Sequence, residues 1–136
     1  METNSFTGGM SASRPSRLSF REAFRIAAKQ TEMECCGEEA NEFRELCYII
    51  AEVYLFDDQA MLRMGDEEIA GYVVKEVFGE LRHEHLQMVL GSFRRVPERI
   101  QNKRAYLRRM LYNVVFEYEA RITNDLAAAR NKGGSQ

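Results

Sequence analysis

The chain of 136 residues has no tryptophan and only two prolines, Pro15 and Pro97. Proline fixes φ and removes a backbone donor, so it interrupts both helices and strand ladders. With so few interruptions, long stretches are free to be helical. Cysteine is equally sparse. Cys35, Cys36 and Cys47 make an odd number without the spacing of a disulfide framework. That excludes a stapled secreted scaffold and points to a reducing, cytoplasmic setting. No segment approaches the roughly 20 apolar residues of a membrane span. Residues 1–17 are polar and lack the apolar run of a signal peptide.

Catalytic signatures are missing too. The sequence has no G-x-x-x-x-G-K, G-x-G-x-x-G, G-x-S-x-G or H-E-x-x-H. Zinc sites pair their ligands as C-x2-4-C or H-x3-5-H, which adjacent Cys35 and Cys36 and the His83-x-His85 pair do not match. Glu80 and His83 have the Glu-x-x-His spacing of di-metal bundles, but Gly79 and Arg82 mark a turn there. The expectation is a non-enzymatic protein without cofactor, metal, small-molecule substrate or membrane association.

What is present is helical periodicity and polarised charge. Ser19 and Glu22 have the form of a capping box opening a helix over about 20–31, with Phe20, Ala23, Phe24 and Ala27 on one face and Arg21, Arg25 and Lys29 on the other. A second helix is expected over 38–56, where Phe43, Leu46, Cys47, Ile50, Val53 and Tyr54 share one apolar face. Residues 57–65 read as a short helix or an irregular connection. Asp66 reads as the cap of a third helix over about 67–80, burying Ala70, Val73, Val74, Val77, Phe78 and Leu81. A fourth, over about 84–96, buries Leu86, Val89, Leu90, Phe93 and Val96 and ends before Pro97. Asn102 then caps a fifth, which can run to Arg130, with Leu107, Met110, Leu111, Val114, Tyr118 and Ile122 in one stripe. The resulting fold class is all-α, a compact bundle of about five helices. Its expected organisation is a disordered tail over 1–17, one helical domain over 18–130 and a second tail over 131–136. Tyr106, Leu107, Leu111, Val89, Leu90, Phe93, Val74 and Phe78 are expected to meet between the last three helices.

The formal net charge is −2, but its distribution is uneven. From Glu32 to Glu68 there are twelve acids against two bases, and from Arg94 to Arg109 seven bases against one acid. Blocks of this kind steer partners or pair with each other across a fold. Two candidate surfaces follow. Arg99, Lys103, Arg104, Arg108 and Arg109 form a basic patch suited to phosphates or an acidic partner, with Tyr106 and Tyr112 available for stacking. Glu38, Glu39, Glu42 and Glu45 form an acidic partner surface that could imitate a nucleic-acid backbone. The alternative is that the two blocks neutralise each other.

Across Arg63–Asn113 the sequence resembles a known domain. Val73-Val74-Lys75, Phe78, Leu81, His85-Leu86 and Val89-Leu90 carry the likeness. It is strongest at Ile100, Asn102, Lys103, Ala105-Tyr106-Leu107 and Leu111-Tyr112-Asn113, with a fainter echo at Asn124-Asp125-Leu126. The likeness is to the C-terminal domain of replication initiator proteins of the RepA N-domain type, carried by plasmids and conjugative elements of Gram-positive bacteria. Where that family tends to place Ala-Pro after the Leu-Tyr-Asn, this chain has Val114-Val115, which favours one continuous helix. The resemblance implies a DnaD-like helical accessory domain of a mobile genetic element, touching DNA or a protein of the replication machinery. A stand-alone regulator or inhibitor of a nucleic-acid-processing machine and a non-specific DNA-binding protein using Arg94–Arg109 are the alternative expectations.

Overall fold

A computed structural model describes residues 18–134 except Cys36 and residues 95–101; side chains of Glu39 and of residues 130–134 also fall outside the description. The tail expected over 1–17, Arg99 of the basic patch, and Val96 and Pro97 of the fourth helix's end all lie outside it. Among the described residues five α-helices make a bundle: α1 (Phe20–Gln30), α2 (Ala40–Tyr54), α3 (Gly71–Phe78), α4 (His83–Phe93) and α5 (Lys103–Gly134). Two short 3-10 turns, Met33–Cys35 and Gly37–Glu39, join α1 to α2.

Two of the three caps read from sequence form. Ser19 Oγ accepts the Glu22 N–H at 3.1 Å, and Glu22 Oε1 accepts the Ser19 N–H at 2.9 Å. Asn102 Oδ1 accepts the Ala105 N–H at 3.1 Å, relieving one of the orphan donors at the start of α5. α1 stops before the cysteines, at Thr31, because Glu32 turns left-handed (φ 55°).

The third helix is shorter than the sequence suggests, and what precedes it is a β-hairpin. β1 (Met61–Met64) pairs antiparallel with β2 (Glu67–Ala70), Met64 opposite Glu67 and Leu62 opposite Ile69. Gly65 and Asp66 form the two-residue loop, and Gly65 has φ +67°, which a glycine takes without strain. Asp66 is therefore a turn residue rather than a helix cap. α3 begins at Gly71, whose N–H donates to the Ala60 carbonyl at 2.6 Å. A side chain there would collide with the Asp57 carbonyl, so glycine is required by close backbone approach.

The core is built on α2 rather than between the last three helices alone. Phe43, Leu46, Cys47, Ile49, Ile50 and Val53 of α2 join one cluster with Leu62 and Met64 of β1, Val74 and Phe78 of α3, Leu86, Val89 and Leu90 of α4, and Leu107, Leu111, Val114 and Val115 of α5. Six of the eight residues expected to cluster lie in it. Phe93 packs against its edge, and Tyr106 stands beside Phe93 with ring centroids 6.1 Å apart. Cys47 is a core thiol, 3.4 Å from the Thr31 hydroxyl.

Candidate interaction surface

The structure brings part of the two charged blocks together: among the described residues, three of the seven bases meet three of the twelve acids. Arg94, just past α4, reaches Glu42 at 2.9 Å. In the first turn of α5, Lys103 reaches Glu45 at 3.3 Å and Arg104 reaches Glu52 at 2.6 Å. Lys103 also lies 5.4 Å from the Phe93 ring centroid. Cations in a first helical turn oppose the macrodipole; here the carboxylates of α2 offset that penalty. Each pair is about half exposed, so each contributes on the order of 1 kcal/mol or less. The Lys103 and Arg104 pairs link the start of α5 to α2, and the Arg94 pair links the end of α4 to it.

The other predicted residues are differently placed. Glu38 is exposed. Arg109 is exposed and lies over the hairpin turn, where a Cβ on Gly65 would come within 2.8 Å of its Nε. Arg108 does not simply face water: it is half-buried, and its Nε is buried with no hydrogen-bond partner among the described residues. Tyr112 is half-buried, packs edge-on to Phe116 at 5.4 Å, and burial pushes its phenol above the ordinary value, with Glu67 adding to the effect.

The two histidines serve separate structural roles. His83 stacks on Phe43 at 4.9 Å, with Nδ1 3.0 Å from the Thr31 carbonyl. His85 is buried, its ring edge-on to Tyr118 at 4.7 Å, and its Nδ1 accepts the Arg82 N–H at 2.8 Å. Among the described residues, no group of three or more His, Cys, Asp or Glu side chains is placed to hold a metal ion, and no helix is long and apolar enough to cross a membrane.

Among the described residues, a further uncovered feature is one the charge pattern did not indicate. α5 is buried against the body through Val115, and Tyr118 makes a last contact with His85. From Glu119 to Ala129 every residue is exposed, yet the helix continues to Gly134. Beyond Tyr118 that is about 16 residues, or about 24 Å at 1.5 Å per residue. Phe116, Ile122 and Leu126 are 49%, 42% and 61% exposed. Ile122 and Leu126 are four residues apart, so they extend the apolar stripe of the buried half past the end of the body. The signal was legible in that i, i+4 continuation; what the sequence did not reveal is where the body stops covering it.

No family model matches the chain, and neither the curated proteins nor the solved structures contain a match.

Proposed function

We propose that this chain is a non-enzymatic helical interaction module that presents the second half of α5 to a protein partner. The observation that carries the reading is the exposed pair Ile122 and Leu126 on a helix rooted in the core through Leu107, Leu111, Val114 and Val115. The rooted half nucleates the helix, which removes the costly step for the free half. A partner groove would receive a preformed amphipathic helix, with anchors at helical spacing. The resemblance of Ile100–Asn113 to the replication-initiator accessory domain supports a partner in replication or other nucleic-acid-processing machinery of a mobile element.

The ion pairs weigh against the competing readings. Glu42 and Glu45 would have to leave Arg94 and Lys103 before α2 could act as a nucleic-acid mimic. Likewise, Lys103 and Arg104 would have to exchange carboxylates for phosphates before the basic patch could bind DNA.

The test is capture of replication proteins from a host extract by the wild-type chain and by an Ile122→Asp, Leu126→Asp variant. The expected result is loss of the captured partner with an unchanged thermal melt, since both side chains stand clear of the core. Equal capture by both chains would refute the role of α5. Capture lost instead on Glu42→Gln and Glu45→Gln would move the site to α2.

A further inference from the structure

A second surface, on the side of α1 and α2, has a different chemistry. Phe20 and Phe24 of α1 are four residues apart, as are Arg44 and Tyr48 of α2, and the two pairs face each other across the helix contact. Phe20 stacks on Tyr48 with centroids 5.5 Å apart and planes within 17°. Phe24 lies 4.9 Å from Tyr48 and 6.4 Å from Phe20. The Arg44 guanidinium sits 5.5 Å from the Phe24 centroid. This ladder is not sealed: Phe20 is 38% and Tyr48 37% exposed.

Cations border it without counter-ions among the described residues. Arg21 and Arg25 follow the two phenylalanines on α1, are exposed, and form no ion pair with a described residue, nor does Arg44. The one acid of α1, Glu22, is tied into the capping box through the Ser19 N–H. The acids of α2 on the adjoining side, Glu45 and Glu52, are drawn to Lys103 and Arg104. The same pairing that neutralises the start of α5 therefore leaves this face basic.

We propose that the Phe20–Phe24–Tyr48 ladder, with Arg21, Arg25 and Arg44, is a binding site for single-stranded nucleic acid. Unpaired bases have free π faces to extend the stack on Phe20 and Tyr48, while guanidinium groups beside the rings take the phosphates. A duplex keeps its bases stacked internally and cannot use the rings. The site reads no sequence, because nothing in it is arranged to address base edges. It is separate from the exposed half of α5 and does not depend on it.

The experiment is fluorescence anisotropy of labelled oligo(dT) and oligo(U) with the full chain across a range of salt concentrations, with duplex DNA as the comparison. Binding to the single strands should weaken with a log–log salt slope of about −2, as expected for roughly three phosphate contacts, and should exceed duplex binding. Phe20→Leu with Tyr48→Leu keeps apolar bulk but removes the rings; affinity should fall at least about fivefold with the slope retained. Arg21→Gln with Arg25→Gln should flatten the slope to about −0.7. No single-strand binding at low salt overturns the site. So does a ring variant that binds as well as the wild type, a preference for duplex, or binding lost only on substituting Arg104, Arg108 and Arg109. Binding of an acidic peptide in place of both oligonucleotides would assign the face to a protein and equally refute the proposal.

Discussion

Within α5, neighbouring residues have opposite consequences. Leu111 is fully buried in the central cluster, so Leu111→Ala should destabilise by about 2–5 kcal/mol through lost transfer energy and a cavity. Arg108, three residues earlier, carries a buried Nε without a partner among the described residues, and an unpaired buried donor costs about 1–3 kcal/mol. Arg108→Met keeps the aliphatic packing and removes that donor, so a urea melt should show it neutral or more stable than wild type. A loss approaching that of Leu111→Ala would mean the guanidinium is satisfied after all. His85 gives a second residue-scale prediction. Burial lowers its pKa below the ordinary 6.5 and Arg82 adds to this, while Glu84, Glu119 and Glu80 act the other way. The unfolded chain therefore binds the proton more readily, and stability present above pH 6.5 drains away as pH falls below it. Protonation also turns Nδ1 from an acceptor into a donor aimed at the Arg82 N–H. His85→Gln keeps an acceptor at the third helical position without a titrating group. Its urea midpoint should lose the pH dependence expected of the wild type below pH 6.5; an unchanged dependence would shift the cause to the carboxylates.

Between elements, one side chain ties three helices. Gln30, the last residue of α1, donates through Nε2 to the carbonyls of Phe78 at 2.9 Å and Leu81 at 3.0 Å, closing the C-terminal end of α3. Its Oε1 accepts from the Tyr54 hydroxyl at 2.6 Å, at the end of α2. Gln30→Ala removes three hydrogen bonds at once but orphans none of their partners: the Phe78 carbonyl still accepts from the Leu81 N–H and the Tyr54 hydroxyl, and the Leu81 carbonyl from Arg82 Nη1. The substitution should therefore cost about 1–3 kcal/mol in a thermal or urea melt through the lost bonds alone. A change under about 0.5 kcal/mol would mean water replaces the amide without loss. The same scale shows what a sequence discloses. Helix periodicity and caps are local, so α1, α2, α4 and the start of α5 were legible from Ser19, Glu22, Asn102 and the spacing of their apolar residues. The hairpin was misread because Ala70, Val73, Val74 and Val77 recur at helical spacing and mask the boundary at Gly71. Gly65-Asp66, with Leu62 and Met64 buried between exposed Met61 and Arg63, was the missed two-residue turn signal. Gln30 has no such signal; its partners lie 24 to 51 residues away and become visible only once α1, α2 and α3 are packed.

At the scale of the molecule, charge and apolar surface divide the labour. Acids of α2 and the bases Arg94, just past α4, and Lys103 and Arg104 of α5, separate blocks in the sequence, close on each other and contribute to docking. Free surface is left at the α1/α2 ladder and along the second half of α5. The bundle was foreseeable from composition and periodicity. The candidate surfaces were only half so: charge runs are visible in a sequence, but whether they face solvent or each other depends on which helices meet. That leaves the protruding half of α5 as the account's central element. Native-state hydrogen exchange of the isolated chain measures it most directly, by comparing peptides within 103–115 with peptides within 119–130. The core half should exchange only through opening close to global unfolding, and the outer half several kcal/mol more easily, as expected for a helix held at one end, with protection appearing when a partner binds. Equal protection of both halves in the monomeric chain would contradict the account, because the outer half would then already be packed within the fold and would have no face to offer.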